Sequence, residues 1–511
     1  MRFALIVWLS ALSMLTACQS GPRLTTPTAI VHEVTGTSTP DHQPGFPPDV
    51  NPLSGERVAD PSLLKIPALL TSISHFPATG RPQAGLSFAP FVYEFYITEG
   101  ATRFLAVFYG EFPAPENPVR GECEIRSGPF VQTGTLLGIR VWLDANRNGL
   151  QDPGEGGIGG VCVNLYDASG HMIQRASTDS NGYYGFNVQP GRYTVEFLKP
   201  NGFDFTKQSS GDHGLDSDVD PATARAGAEV ASDDLSIDAG LLQSPSAVPA
   251  PDASSALPLA QVGPVRSGRL IYGYIADYFQ NSCLIYAFAS EEVLARLPQC
   301  HMVFHQLAAG GYMMDLSEMR SVADENLQTK GSSFNYTSNL YSSQVPPAGK
   351  PASLLKVYFA YQNQSGWAYD PLYRGYLRYV DTSEYDEAGV LHPDVDRLTG
   401  RQLHVENLIV LYARHDVISP TNLDIHLDQG RTGKAVLFRN GQMFKIMWST
   451  KPVENGHGSK VRPIRFLEVD EKPVPLEPGH TWVIVVTPDS KLEQTAAGKW
   501  FLSFAQPEGA K

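Results

Sequence analysis

An interruption in the middle of the chain constrains the fold more than any other feature. Residues 117–120 read Asn-Pro-Val-Arg and residues 263–266 read Gly-Pro-Val-Arg, and the segment between them is much denser in Gly, Asp and Asn turns than its flanks. Exposed loops tolerate the insertion of a whole domain. We therefore expect an α+β host domain in two parts, 51–130 and 263–400, around an inserted domain at 131–242.

The other boundaries follow from composition. Residues 243–262 form a Pro/Ala/Ser-rich linker that closes the insertion. Residues 321–400 are irregular in pattern, with many Tyr and Ser. Residues 401–490 alternate in the manner of strands and include an Asn-Gly hairpin turn, which predicts a β-rich C-terminal domain. We expect residues 491–511 to be a tail.

The N-terminus predicts export and attachment to lipid. Residues 3–14 form an apolar stretch that is too short to remain in a bilayer as a helix. The following Leu-Thr-Ala-Cys, which ends at Cys18, resembles a bacterial lipobox, so we interpret residues 1–18 as a lipoprotein signal and Cys18 as the acylated, palmitate-bearing residue. An ordinary secretory signal with a chance cysteine is the alternative. Residues 19–50, rich in Thr, Pro, Ser and Gly, predict a disordered tether above an extracytoplasmic membrane surface.

Composition excludes some partners and leaves others open. The chain of 511 residues has a formal net charge of −14, which argues against nucleic acid as a partner. With Cys18 assigned to lipid, Cys123, Cys162, Cys283 and Cys300 remain, and three pairings are possible. Cys283 with Cys300 is plausible from proximity in sequence, and free buried thiols are the alternative.

The inserted domain carries a calcium-type loop. Oxygen ligands stand at positions 1, 3, 5, 9 and 12 of a 12-residue segment, glycine stands at position 6, and position 7 offers its backbone carbonyl, which is the spacing that calcium uses. The predicted ligands are Asp144, Asn146, Asn148, Leu150, Asp152 and Glu155. A plain turn rich in Asp and Asn is the alternative.

A second calcium site is predicted near the end of the inserted domain. Asp216, Asp218 and Asp220 alternate in one loop, and Asp238 lies farther along the chain. Carboxylates spaced in this way repel one another unless a cation separates them, although a solvated acidic surface would need none. Asp179, in a Thr-Asp-Ser-Asn-Gly segment, favours a turn between strands over a metal site.

Alternating apolar residues around these loops predict strands, and no helices flank them. The inserted domain is therefore expected to be an all-β sandwich. Residues 144–155, 191–197, 216–220 and 237–241 resemble the B-type repeat of serine-aspartate adhesins. The resemblance implies an immunoglobulin-like sandwich that is stiffened by calcium and acts as a stalk or spacer.

Charged residues of the host domain suggest a pocket. Four arginines and two glutamates stand beside predicted strand ends, and guanidinium groups bind anions through paired hydrogen bonds. A buried ion-pair network that holds the two host parts together is the alternative. The candidate ligand-binding residues are Arg81, Arg103, Arg266 and Arg269, and the candidate acid–base residues are Glu94 and Glu99.

The host segments resemble the YerB-like bacterial lipoproteins, whose domains have no established function. The resemblance is carried by motifs such as Asn-Pro-Leu-Ser-Gly at 51–55, Arg-Pro-Gln-Ala-Gly-Leu at 81–86 and Pro-Gly-His-Thr-Trp at 478–482. Two histidines of the family pattern are replaced, within 286–290 and 337–341. If the family uses those histidines in acid–base chemistry, this chain has lost that chemistry.

These observations favour a binding protein over an enzyme. The leading hypothesis is a lipid-anchored envelope protein that binds or scaffolds a cell-wall polymer or a partner protein and carries a calcium-stabilised, adhesin-like spacer. The alternative is a hydrolase or transferase that acts on an anionic cell-wall polymer. In the alternative, the host arginines hold the substrate and a glutamate supplies the acid or base.

Overall fold

The computed structural model describes residues 45–116, 119–211, 213–244, 260–454 and 459–510. The expected signal at 1–18, its acylated Cys18, most of the tether and most of the linker lie outside these residues. Among the described residues, no helix has the length and apolar character needed to cross a membrane.

The first host segment supplies three central strands of the largest sheet. They are β1 (Leu69–Ser74), β2 (Phe91–Thr98) and β3 (Ala101–Phe108). β2 and β3 form a hairpin whose turn places Glu99 and Gly100 at φ values of 50° and 81°. Nearly all residues of the three strands are buried, which explains their continuous branched and aromatic composition.

The inserted domain is a sandwich of two four-stranded sheets. Its strands are β4 (Thr135–Leu143), β5 (Cys162–Tyr166), β6 (Met172–Ser177), β7 (Tyr183–Val188), β8 (Gly191–Leu198), β9 (Phe203–Phe205), β10 (Arg225–Val230) and β11 (Ala239–Gln243). The sheet orders are β10-β8-β5-β6 and β7-β4-β11-β9. Their inward-facing side chains form a core of their own, so the expected immunoglobulin-like sandwich is confirmed.

The insertion interrupts the host beside β1. The next host strand, β12 (Gln261–Val265), pairs with β1 on the edge opposite to β3. Ile73 of β1 lies between Phe104 of β3 and Val265 of β12. The host sheet is therefore continuous across the point where the inserted domain leaves and re-enters it.

The second host segment covers this sheet and extends it. Its elements are α1 (Ile271–Tyr278), β13 (Cys283–Tyr286), α2 (Glu291–Leu294), β14 (His301–Met302), β15 (Leu307–Ala308), β16 (Gly311–Asp315) and α3 (Leu316–Lys330). The stretch predicted to be irregular contains further strands, which are β17 (Leu340–Tyr341), β18 (Lys350–Pro351), β19 (Leu354–Ala360), β20 (Asn363–Asp370), β21 (Gly375–Asp381) and β22 (Leu391–Pro393). That prediction was wrong because polar and aromatic side chains mask the alternation of these strands.

The remaining strands belong to the predicted β-rich region and to the segment beyond it. They are β23 (His404–Val405), β24 (Asn407–Tyr412), β25 (His415–Ser419), β26 (Asn422–Ile425), β27 (Thr432–Arg439), β28 (Gln442–Ser449), β29 (Val453–Glu454), β30 (Ser459–Lys460), β31 (Arg465–Leu467), β32 (Pro475–Leu476), β33 (Thr481–Val486), β34 (Lys491–Ala496) and β35 (Lys499–Ser503). The expected α+β host and β-rich C-terminal region are confirmed.

The C-terminal region does not form a separate sheet at 401–490. Strand β33 pairs in parallel with β2, so that Phe91 lies opposite Thr481, and β24 and β27 continue beyond it. A strand edge in the centre of a fold needs a hydrogen-bonding partner, and β33 supplies one for β2. The two halves of the host therefore share one large sheet and one core.

Residues 491–511 are not a tail throughout. β35 pairs in parallel with β19, and Leu355 lies opposite Trp500. Trp500, Leu502 and Phe504 are buried. The prediction was wrong because β34 is an exposed, polar edge strand that conceals the apolar alternation of its neighbour.

The inserted domain is docked on the host rather than extended away from it. The linking residue Arg126 forms salt bridges with Asp179 of the inserted domain and, at 3.3 Å, with Asp370 of the host. The hydroxyl of Tyr373 donates a hydrogen bond of 2.9 Å to Asp179, and its ring lies 4.1 Å from that of Tyr183. The turn around Asp179 is thus a docking contact.

The four remaining cysteines form two disulfides. Cys123 in the segment that leads into the inserted domain pairs with Cys162 of β5. Cys283 of β13 pairs with Cys300. The first pair fixes the entry of the chain into the sandwich, and the second closes a short loop of the host.

Candidate functional site

The predicted calcium loop begins where β4 ends. Asp144 is buried, and its carboxylate accepts hydrogen bonds from the backbone N–H groups of Asn148 at 3.2 Å and Gly149 at 2.9 Å. Gly149 has a φ of 86°, a left-handed conformation that favours glycine, and a Cβ there would meet Ser210. The loop therefore folds back over Asp144 as its spacing predicts.

The other predicted ligands converge on the same loop. The side-chain amides of Asn146 and Asn148 donate to one oxygen of Asp152, at 2.7 and 2.6 Å. The carboxylate of Glu155 accepts from the N–H groups of Ala145 and Asp152, at 2.8 and 3.1 Å. Burial raises the pKa of Glu155 above its usual range. Three acidic side chains are thus held in one short segment.

The second predicted loop lies directly beside the first. The N–H of Gln151 donates to the carbonyl of Leu215 at 2.6 Å, and Leu150 forms a β-bridge with Asp216. Asp216 is buried, and within the described residues its Oδ1 has no hydrogen-bond partner. The two acidic loops therefore share one edge of the sandwich.

Asp216 and Asp218 form a compact group with a histidine that the sequence patterns did not single out. His213 Nδ1 lies 2.9 Å from Asp218, and the three side chains place one ligand atom each within 4.8 Å of one another. Burial raises the pKa of Asp218 to about 6. Asp238 is also buried. Burial raises the pKa of Asp238 well above its usual value, and repulsion from the nearby Asp218 raises it further.

Asp220 does not join this group, contrary to the predicted ligand set. Its carboxylate accepts hydrogen bonds from Ala222 N–H at 2.9 Å and Thr223 Oγ1 at 3.0 Å, which closes a local turn. The prediction grouped Asp220 with Asp216 and Asp218 because the three residues alternate in the sequence. In the structure, the turn directs the side chain of Asp220 away from the other two.

The residues of the first loop fit a calcium ion. The donors at positions 1, 3, 5, 9 and 12 are oxygen-bearing side chains, and calcium binds oxygen almost exclusively. The amides of Asn146 and Asn148 present nitrogen to Asp152 in this structure, and rotation of each amide exchanges that nitrogen for an oxygen. The orphan oxygen of Asp216 next to the loop is a further unsatisfied ligand atom.

The six candidate residues of the host do not form one pocket. Glu94 lies opposite Phe104, and Arg103 lies opposite Phe95, in the β2–β3 pairing. Neighbouring residues of a strand point to opposite faces, so Glu94 and Arg103 are on different sides of the sheet. Glu99 is exposed in the hairpin turn. A substrate held by Arg103 would therefore not meet either glutamate, which corrects the predicted arrangement.

Glu94 is the centre of a buried polar cluster, the glutamate cluster, on one face of the sheet. Its carboxylate accepts hydrogen bonds of 3.0 Å from Thr102 Oγ1 and from Trp482 Nε1. His75 Nδ1 lies 2.7 Å from the same threonine hydroxyl. Burial, together with nearby arginines, lowers the pKa of His75 well below its usual value, so this histidine is neutral.

The cation of the glutamate cluster is Arg378, which sequence patterns missed. It is fully buried, it forms a salt bridge with Asp394, and its Nη2 lies 4.0 Å from Glu94. Its guanidinium carbon stands 4.7 Å from the ring centre of Trp482. A lone arginine inside the apolar strand β21 was the available signal. The cluster is an internal network that holds the two host segments together.

Arg81 belongs to the same side as Arg378. Its Nη1 donates to the carbonyl of Asp381 at 2.6 Å and lies 3.8 Å from that carboxylate. Its Nε donates to the carbonyl of His75. Burial lowers the pKa of Arg81 to about 10. Arg81 is thus occupied by structural contacts rather than grouped with the other candidate arginines.

Arg103, Arg266 and Arg269 come together around Ser267 on the other face, and we call this group the arginine cluster. Arg269 Nη1 donates to Ser267 Oγ at 2.9 Å, and Arg103 Nη1 lies 3.4 Å from the same oxygen. The guanidinium of Arg266 faces the ring of Phe288 at 5.7 Å. The host arginines predicted from the sequence are therefore partly brought together, without a glutamate.

Three family models match parts of this chain. The model for the N-terminal domain of a protein of unknown function, DUF3048, matches residues 53–126, and the model for the C-terminal domain of that family matches residues 355–483. The SdrD B-like domain matches residues 135–241.

The inserted domain is also similar to curated proteins. Serine-aspartate repeat-containing protein F of Staphylococcus epidermidis is 42% identical over 111 residues, which are 21% of this chain and 7% of that protein. Serine-aspartate repeat-containing protein D of Staphylococcus aureus is 37% identical over 110 residues, which are 21% of this chain and 8% of that protein. The match thus spans less than a tenth of the length of these relatives.

A solved structure also aligns with the chain. It is YerB protein from Bacillus subtilis, at a TM-score of 0.46 and 16% identity, covering 86% of this chain and 96% of that one. The family matches confirm both resemblances that the sequence motifs carry. The chain therefore carries the N- and C-terminal domains of the DUF3048 family with an SdrD B-like domain inserted between them.

Proposed function

We propose that this chain is a lipid-anchored envelope protein that binds or scaffolds an envelope polymer or partner, and that its inserted domain binds calcium. The observation that carries the proposal is the convergence of Asp144, Asp152 and Glu155 in one folded loop beside the unsatisfied oxygen of Asp216. The anchoring part rests on the lipobox-like sequence that ends at Cys18.

Calcium would relieve an electrostatic cost in this edge of the sandwich. Like charges that are held close together in a partly buried site repel one another, and a divalent cation between them removes that repulsion. Asp144 and Asp216 are both buried, and Asp216 has no cationic partner among the described residues. A cation at this edge would also hold the two loops in a fixed relation.

The docked position of the inserted domain indicates a fixed platform rather than a free spacer. Asp179 and Tyr373 connect the sandwich to the host at the turn that precedes β7, and Arg401 binds Glu116 nearby. A ligand surface that spans the sandwich and the host would then depend on the order of both. We infer that calcium controls binding by stabilising the platform.

Co-sedimentation with purified envelope polymers would test this function. The chain from residue 19 onward is incubated with cell-wall fractions in calcium or in chelator, and the bound fraction is measured. The loop variant Asp144→Asn with Asp152→Asn is compared with Asp204→Asn, which changes an exposed acid of the same domain outside both loops. We expect binding in calcium that falls in chelator and in the loop variant but not in Asp204→Asn.

Two results would contradict the proposal. Binding that is equal in calcium and chelator would remove the metal from the mechanism. The absence of binding to every envelope fraction, with the protein folded and calcium present, would remove the envelope polymer, and a pull-down with envelope proteins would then decide whether any partner role remains.

A further inference from the structure

The arginine cluster of the host is a concentration of positive charge without a counter-charge. Among the described residues, no carboxylate forms a salt bridge with Arg103, Arg266 or Arg269. Burial lowers the pKa of Arg103, and the neighbouring charges of Arg269 and Arg266 lower it further. The other buried arginines of the host, Arg378 and Arg439, each have a carboxylate partner.

Arg103 is the member that makes this arrangement costly. Its side chain is 3% exposed, and burial lowers its pKa to about 9. Its contacts with Ser267 are long, at 3.4 and 3.5 Å, and its Nε has no hydrogen-bond partner in the described structure. A buried charge is normally paired, because desolvation of an unpaired ion costs several kcal/mol. The cluster is therefore incomplete as it stands.

The surroundings of Arg103 include polar side chains that are hydrogen-bonded to one another. Ser72 Oγ and Tyr272 OH share a hydrogen bond of 2.8 Å, and Ser72 Oγ also donates to the carbonyl of Ser267 at 3.2 Å. The first turn of α1 follows the cluster directly, and no side chain caps it. Its positive end adds to the field of the arginines.

Arg266 and Arg269 form the open side of the cluster. Both are partly exposed, and Arg269 Nε is a second buried nitrogen without a partner in the described chain. Phe288, 42% exposed, stands beside Arg266. Guanidinium groups that are held close together match the oxygens of a tetrahedral oxyanion.

We propose that Arg103, Arg266, Arg269 and Ser267 form an anion-binding site for a phosphate group. Three guanidinium charges and a helix N-terminus favour a phosphate over a single carboxylate, because the phosphate supplies more acceptor oxygens and more negative charge. The phosphate supplies the missing partner of Arg103. The site lies entirely in the host and does not depend on the calcium loops.

The test is a titration of the chain from residue 19 onward with inorganic phosphate, in chelator and at constant ionic strength. Chelator separates this test from that of the calcium function. Glycerol phosphate replaces phosphate in a second arm, so that a free ion and an organic phosphate are distinguished, and chloride is the control anion. Isothermal calorimetry measures affinity, and a thermal melt measures stabilisation.

The variants separate a ligand site from a structural role. Arg266→Gln at the rim should weaken phosphate binding about tenfold or more, since a charge-assisted contact is lost. Arg103→Met should abolish the thermal shift by phosphate while leaving the melting temperature in chloride unchanged or higher, because it removes an unpaired buried charge. Arg192→Met, at an exposed pair in the inserted domain, should bind as the parent does.

Several outcomes would overturn the proposal. The first is the absence of both binding heat and a thermal shift with either phosphate at millimolar concentration. The second is equal phosphate binding by the parent and by Arg266→Gln. The third is a large loss of stability of Arg103→Met in chloride together with no effect of phosphate on the parent. Preference for glycerol phosphate over the free ion would support the site and indicate an organic phosphate as its ligand.

Discussion

Arg126→Met tests whether the inserted domain is fixed to the host. Arg126 is mostly buried between Asp179 of the inserted domain and Asp370 of the host, and it forms a salt bridge with each. Methionine keeps the length of the side chain and removes its charge. Two buried carboxylates would then face each other across the junction without a cation.

The expected loss follows from this geometry. Removal of one partner from a buried ion pair costs about 3–5 kcal/mol. The Arg126 side chain is 17% exposed, so we expect the lower end, about 3 kcal/mol. Burial raises the pKa of both Asp179 and Asp370, and Arg126 opposes that rise. Without Arg126 the ionised carboxylates destabilise the folded state at neutral pH, and protonation relieves the penalty as the pH falls.

Urea denaturation at about pH 7 and about pH 5 would measure both effects. The loss in free energy of unfolding that Arg126→Met causes should be smaller at the lower pH. Arg192→Met is the matched control, because its pair with Glu229 is 74% exposed on both sides and should change stability by less than about 1 kcal/mol. A deficit of Arg126→Met below 1 kcal/mol, or one that grows on acidification, would refute the reasoning.

Three further predictions concern stability. Replacement of Cys123 and Cys162 by serine opens a cross-link with a sequence separation of 39 and should cost about 4 kcal/mol in calorimetry, and an unchanged melt would contradict it. Burial raises the pKa of Glu406 to about 8, so this residue should make the protein lose stability as the pH rises from about 4.5 towards 8. Melts of Glu406→Gln across that range should show a smaller loss than the parent, and an equal loss would contradict the prediction. Arg378→Met leaves Glu94 without its buried cation and should lower the free energy of unfolding by about 3–5 kcal/mol, measured by tryptophan fluorescence during denaturation. A loss below about 1 kcal/mol would show that the cation is dispensable.

Local patterns predicted the inserted domain well because its information lies close together in the chain. The 12-residue spacing from Asp144 to Glu155 is sufficient to place its acids in one loop, and glycine at 149 fixes the turn. The spacing of Asp216, Asp218 and Asp220 was a weaker guide. The turn after Asp220 depends on contacts with the next few residues, and it removes that carboxylate from the group.

The charged residues of the host could not be grouped correctly from their proximity in the sequence. Glu94 and Arg103 stand near one another in sequence on a hairpin, but the register of the two strands decides which face each occupies. A one-residue change of register would reverse the assignment. Arg378 and His75 could not be placed with Glu94 before the pairing of distant strands was known.

The order of the strands in the host sheets could not be predicted from the sequence either. β33 completes the edge of β2, and β35 pairs with β19, across long separations in the chain. A segment such as Lys491–Ala496 carries no apolar stripe of its own, since it forms an edge strand. This segment is held in a strand by its pairing with the neighbouring strand, and the pattern of its own residues does not reveal that pairing.

The central claim, calcium binding by the inserted domain, is tested most directly by isothermal titration of calcium into the chelator-treated chain from residue 19 onward. We expect saturable binding that Asp144→Asn weakens strongly and Asp204→Asn leaves unchanged, because only Asp144 belongs to the proposed ligands of the loop. The absence of binding heat and of any thermal shift, or binding that Asp144→Asn does not alter, would contradict the account.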